Sequence, residues 1–206
     1  PVICDYLSRE ASRSRYAPGT EFQIGRIDMV ANTGTYLDSP FHRYADGKDL
    51  SDLPLQSLAN LDCVVSRVDP GTGPAIDHLP LTKEQARGRA VLFHTGWDRH
   101  WRTDAYAVDH PHLTERLARW LVEAGVALVG IDSFNIDSVA TGERPVHSVL
   151  LRHEIPIVEH MRGLEAVPEQ GGRFFAVPAM VKAFGTFPVR AFVITGQHGN
   201  GGGATR

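Results

Sequence analysis

Hydrophobic residues in this chain gather in short runs. Residues 61–68, 90–95, 126–131, 155–159 and 189–195 are rich in β-branched side chains, and Gly, Pro or Asp lie close to most of their ends. That pattern predicts strands. The 126–131 run is almost continuously apolar, as expected of a strand covered on both faces. Helical periodicity is scarcer. Leu117, Leu121 and Ala124 share one face of a predicted helix over 114–124, with Gly125 as its stop. Thr82 and Gln85 have capping-box spacing at the head of a short helix that Gly88 closes. Strands outnumber long helices, and no repeat or low-complexity linker divides the chain. The pattern predicts one α/β domain over residues 1–206 with a mixed, curved sheet. Residues 1–22 read as an irregular arm, and the glycines at 199–203 as a flexible tail beside His198.

One segment carries more than structure. Read as a single strand, residues 27–38 place Ile27, Met29, Ala31 and Leu37 on one apolar face, and Asn32, Gly34, Tyr36 and Asp38 on the other. Pro40 denies the ladder a donor and ends the strand, so His42 falls in the turn just beyond it. Such a strand reads as the floor of a site.

Charge narrows the classes of partner. Lys and Arg total 21 against 24 Asp and Glu, a net charge of -3, and no basic run stands out. That balance provides no electrostatic footprint for nucleic acid or an anionic membrane. No apolar stretch approaches the ~18 residues of a membrane span, and no signal peptide opens the chain. Cys4 and Cys63 sit among apolar neighbours and read as buried free thiols of a reducing cytoplasm.

Three further segments carry polar groups to predicted strand ends or helix starts. They are 94–98 (His-Thr-Gly-Trp-Asp), 130–137 (Gly-Ile-Asp-Ser-Phe-Asn-Ile-Asp), and His147 with Glu159 twelve residues later. Each alone reads as ordinary structure. Together with Gly34, Thr35, Asp38, Pro40 and His42 they resemble the cyclase family, which includes bacterial kynurenine formamidase and isatin hydrolase. Its signature runs His-x-Gly-Thr-His-x-Asp-x-Pro-x-His, and Pro188-Val189-Arg190 falls where the family's closing run does. The resemblance implies the family's swivelling β/β/α fold and hydrolysis of a small amide, lactone or ester. It also implies a homodimer or homotetramer, and a site in which Asp38, His147 and Glu159 are metal ligands and His42 moves a proton. A histidine whose hydrogen bonds merely hold the turn is the structural alternative for His42.

The departures matter as much. Where the signature has its first two histidines, this chain has Asn32 and Tyr36. A carboxamide is a weak ligand, and a phenol must lose a proton to bind well. Tight zinc is therefore not the expectation. Two carboxylates and one imidazole suit Mn²⁺ or Mg²⁺ as well as Zn²⁺, or no ion at all. Tyr36 and Asn32 become candidate catalytic wall residues alongside His42, and Trp97, Phe41 and Phe134 a candidate apolar substrate pocket. Two other functions fit the same residues: a metal-independent lyase or isomerase, and a non-catalytic relative that binds a small molecule.

Overall fold

The computed structural model describes residues 1–196 apart from Pro70 and Thr72, so His198 and the glycine-rich 199–203 segment lie outside the described residues. The chain forms two compact units, Pro1–Thr33 and Gly34–Arg206. In the first, β1 (Val2–Leu7) pairs antiparallel with β2 (Ile24–Asp28), Ile3 opposite Ile27. Between them lies one turn of helix, α1 (Arg9–Ser12), whose Ser8 cap accepts the Ala11 N–H at 3.1 Å. Of the arm expected to be irregular, Val2–Leu7 and Arg9–Ser12 are regular, while residues 13–23 form no strand or helix. Cys4 on β1 is exposed while Cys63 is buried, so the expectation of two buried thiols holds for Cys63 alone.

The continuous strand expected over 27–38 does not form. β2 stops at Asp28, and the next strand starts only at Tyr36. The intervening Asn32-Thr33-Gly34 is turn chemistry, with Gly34 at φ +70°, a backbone region where a side chain is strained. Alternation across such a segment has no ladder to enforce it. Asn32 is left exposed in this bend.

The second unit contains β3 (Tyr36–Asp38), β4 (Leu61–Arg67), β5 (Ala75–Ile76), β6 (Ala90–His94), β7 (His112–Leu113), β8 (Leu128–Ile131), β9 (Ile157–Glu159), β10 (Gly172–Phe175), β11 (Thr186–Pro188) and β12 (Phe192–Thr195). Its helices are α2 (Lys83–Ala86), α3 (Glu115–Ala124) and α4 (Pro145–Arg152). Eight strands make one mixed sheet in the order β11-β3-β9-β8-β6-β4-β10-β12. The four central strands are parallel, and the outer pair on each side adds antiparallel. This is the mixed α/β sheet that the hydrophobic runs predict. The capping box of α2 is present, and Gly125 closes α3 at φ +72°.

Alternation within the central strands feeds two cores. Val91, Phe93, Val129 and Ile131 face the helices, packing with Leu117, Leu121, Val146 and Leu150. Leu92, Leu128 and Val158 face the other way, against Leu37, Met161, Leu164 and Phe174. Each crossover from β4 to β6 to β8 to β9 carries one helix. The loops that end these parallel strands are where polar groups can gather without breaking either core.

Candidate active site

The polar groups of the site stand on strand ends and on one helix start. Tyr36 and Asp38 occupy β3, flanked by Glu159 on β9 (opposite Tyr36) and Thr186 on β11 (opposite Asp38). The chain then turns through a single 3-10 turn, Pro40–His42, as proline at that position predicts, and His42 ends it with its side chain 36% exposed. His147 sits in the first turn of α4 and is buried.

His147 is held by Asp137. The carboxylate takes the backbone N–H groups of Val146 at 2.7 Å and His147 at 3.0 Å, which caps α4. The same carboxylate accepts the His147 Nδ1–H at 2.6 Å. That leaves Nε2 for the site, 3.6 Å from Asp38 Oδ2 and 3.7 Å from Glu159 Oε1. Glu159 is fixed by the Tyr36 hydroxyl, which donates to Oε2 at 2.5 Å, and by the Ile136 N–H, which donates to Oε1 at 2.6 Å. Asp38 Oδ1 accepts the Thr186 hydroxyl at 2.5 Å, whereas Asp38 Oδ2 is buried with no hydrogen-bond partner. Thr186 Oγ1 also lies 2.8 Å from His42 Nδ1.

Electrostatics follow from this burial. Desolvation opposes an imidazolium at His147, but Glu159, Asp137 and Asp38 outweigh it and hold its pKa well above the ordinary value. Burial pushes the Glu159 carboxyl up, with His147 partly offsetting it. Three buried carboxylates thus meet one imidazole, leaving negative charge inside the protein even with His147 protonated. A divalent cation fits that donor set. It would neutralise the excess and engage the orphaned Asp38 Oδ2. The 3.6 and 3.7 Å spacings are close to the roughly 3–3.5 Å between two ligands about 2.1 Å from one ion. Among the described residues, the three that bring ligand atoms within 4.8 Å of one another are Asp38, His42 and His147. Of the metal set proposed from sequence, Asp38 and Glu159 therefore each approach His147, and His42 joins the tightest trio.

The remaining predicted residues divide. Tyr36 is 4% exposed, and its hydroxyl proton is committed to Glu159. Asn32 lies exposed in the bend of the N-terminal unit. Phe134 belongs to an aromatic cluster around His160, whose ring has Tyr36, Trp101, Tyr106 and Phe134 at centroid distances of 5.1, 5.7, 5.5 and 5.6 Å. Trp101, Tyr106 and Phe134 line a cavity of about 380 Å³. Burial drives the His160 imidazole down to about 4, so it stays neutral among these rings. Trp97 lines a different cavity, about 220 Å³, with Arg99 and Pro111, while its indole N–H donates to Tyr106 O at 2.8 Å. Phe41 is half-buried in the 3-10 turn and takes part in none of these ring contacts. The 94–98 and 130–137 segments are clamped together by Asp132, which accepts from Thr95 N, Thr95 Oγ1 and Gly96 N at 2.8, 2.5 and 2.9 Å.

Sequence reasoning passed over Thr186, Tyr106 and His160, and named Asp137 only as the end of the 130–137 segment, with no role of its own. Asp137 lies eight residues before α4 begins, too far along the chain for its capping role to show as a local pattern. Thr186 had no signal, because only the pairing of β11 with β3 brings it to Asp38.

Fold and site together define an α/β enzyme with a buried carboxylate–imidazole centre. A model of the Cyclase family matches residues 6–138. Kynurenine formamidase of Bacillus cereus (strain ATCC 14579) is 30% identical over 189 residues, covering 91% of this chain and 87% of that protein. Kynurenine formamidase of Bacillus anthracis is 29% identical over 171 residues, covering 82% and 79%. Among solved structures, isatin hydrolase A from Labrenzia aggregata bound to benzyl benzoate superposes with a TM-score of 0.77 at 18% identity, covering 94% and 82%. A potential metal-dependent hydrolase with cyclase activity gives 0.70 at 25% identity, covering 93% and 96%. The chain belongs to the Cyclase family, and with it to the hydrolases.

Proposed function

We propose that this protein hydrolyses a small amide, or a related lactone or ester, at the centre formed by Asp38, His42 and His147. The observation that carries the reading is the convergence of these three side chains, with ligand atoms within 4.8 Å of one another and one Asp38 carboxylate oxygen buried and partnerless. Asp38 and His147, with Glu159 behind them, would hold a divalent ion. When bound, such an ion supplies Lewis-acid polarisation and makes water more acidic.

The chain's own groups do the rest. Asp137 keeps the His147 ring oriented and its Nε2 turned to the site. The His42 ring, on the exposed side, takes a proton from the attacking water as its oxygen bonds to the carbonyl carbon. It returns that proton to the nitrogen or oxygen that leaves. Tyr36 holds Glu159 in place. The aromatic cluster around His160 offers a dry wall for an unsaturated or aromatic substituent. The reading extends to a cytoplasmic homodimer or homotetramer with a small-molecule substrate. Among the described residues, no helix is long and apolar enough to cross a membrane.

The test combines metal analysis of the purified protein with turnover of an N-formyl aromatic amide and a phenyl ester. Hydrolysis of either, lost on chelation and restored by Mn²⁺ or Zn²⁺, is expected. Inertness toward both with a full complement of metal would overturn the reading.

A further inference from the structure

His42 does not meet its nearest carboxylate directly. Its Nδ1 is 3.7 Å from Asp38 Oδ1, beyond hydrogen-bond range, and Thr186 Oγ1 stands between them at 2.8 Å from the ring and 2.5 Å from the carboxylate. A hydroxyl has one proton to give. Thr186 Oγ1 donates that proton to Asp38 Oδ1. His42 Nδ1 must then carry its own hydrogen and donate it to Thr186 Oγ1. Neutral imidazole has one ring proton, so Nε2 is left with its lone pair bare.

We propose that Thr186 is a positioning residue that fixes His42 as the Nδ1–H tautomer, keeping Nε2 free to take the proton of the attacking water. The inference rests on the hydrolytic reading of the site for its catalytic consequence, though the tautomer itself does not depend on turnover. When water gives its proton to Nε2, the ring becomes an imidazolium whose Nδ1–H still donates to Thr186. The hydroxyl passes the influence of the Asp38 charge to that cation without any proton leaving Thr186.

The surrounding backbone holds the relay in register. Thr186 is opposite Asp38 in the β11–β3 pairing. The Ser39 N–H donates to Gly185 O at 2.8 Å. A Cβ on Gly185 would come within 2.5 Å of His42 Cα and 2.6 Å of its N, so the turn that carries the base lies flush on β11. That close approach fixes His42 relative to the hydroxyl before any substrate binds.

The test pairs Thr186→Val, which keeps the shape and removes the hydroxyl, with Thr186→Ser, which keeps the hydroxyl. Nitrogen-15 NMR reads the His42 tautomer, its ring signals assigned by their loss in His42→Gln. Kinetics use the N-formyl aromatic amide. The expected result is Nδ1–H in the wild type and in Thr186→Ser, and a shift toward Nε2–H in Thr186→Val. In that variant kcat falls about 10²–10⁴-fold, the range a mispositioned general base costs, with KM changed less than about threefold. Thr186→Ser should restore kcat to within about fivefold of the wild type. An Nε2–H wild type, or a tautomer unmoved in Thr186→Val, overturns the inference. A protein that cleaves no probe yet shows the tautomer response upholds the role of Thr186 and defeats the hydrolase reading instead.

Discussion

The site contains two histidine–carboxylate arrangements, and their differences assign their jobs. His147 meets Asp137 directly at 2.6 Å, with only 6% of its side chain exposed. His42 reaches Asp38 through a threonine hydroxyl, with 36% of its side chain exposed. A direct, buried carboxylate makes an imidazole strongly basic and immobile, which suits a group that must hold a position or an ion. A hydroxyl spacer orients the ring while muting the charge behind it, and the open side leaves room for water. Histidine and aspartate, with and without a threonine between them, thus build a working base and a fixed support a few ångströms apart, with ring centroids separated by 5.9 Å.

The comparison can be broken from either side. Replacing His42 with Ala should have the largest effect, lowering kcat about 10³-fold or more while the melting temperature moves little, since the ring is half-exposed. A turnover assay beside a thermal melt checks it, and a large loss of stability would make His42 a structural group like His147. Asp137→Asn should weaken Mn²⁺ or Zn²⁺ binding about 10–100-fold, because the carboxylate that orients His147 is gone. Calorimetric metal titration measures this, and unchanged affinity would remove Asp137 from the support. Tyr36→Phe strips Glu159 of a buried hydrogen bond and should cost about 1.5–3 kcal/mol of stability by denaturant unfolding, with a smaller effect on kcat.

The smallest expected effect lies outside both arrangements. Burial lowers the pKa of His110, first by desolvation, so the folded protein keeps it neutral where the unfolded chain binds a proton. Stability carried by this group is therefore complete above the ordinary histidine pKa of about 6.5 and is lost as pH falls below it. His110→Gln should flatten that part of the stability–pH curve by a fraction of the wild-type slope. An unaltered slope would place the acid sensitivity in His160, whose pKa burial also lowers.

Much of this was legible in the chain, and what was not has a physical cause. Runs of β-branched residues located the central strands because parallel strands buried on both faces tolerate little else. Pro40 fixed where β3 had to end, and so placed His42 in the following turn. The strand expected through Asn32 failed because alternating polarity was read across a turn-forming Asn-Thr-Gly. Alternation has meaning only where a neighbouring strand pairs with it. Asp137 was hidden because its role lies in capping a helix that starts eight residues later, and Thr186 because its partner is 148 positions away in sequence. Local pattern finds side chains that act through their own element. It misses those whose function comes from what another part of the chain lays beside them.

That distance has a consequence for how the protein comes into being. Asp38 and His42 leave the ribosome early, while the hydroxyl between them is among the last groups of the sheet to be made. Until β11 is synthesised and docks, a nascent chain can hold its central strands and helices yet have a base with no defined tautomer. Catalytic competence is then a late event of biosynthesis, since a halt shortly before Thr186 leaves the base without the hydroxyl that orients it.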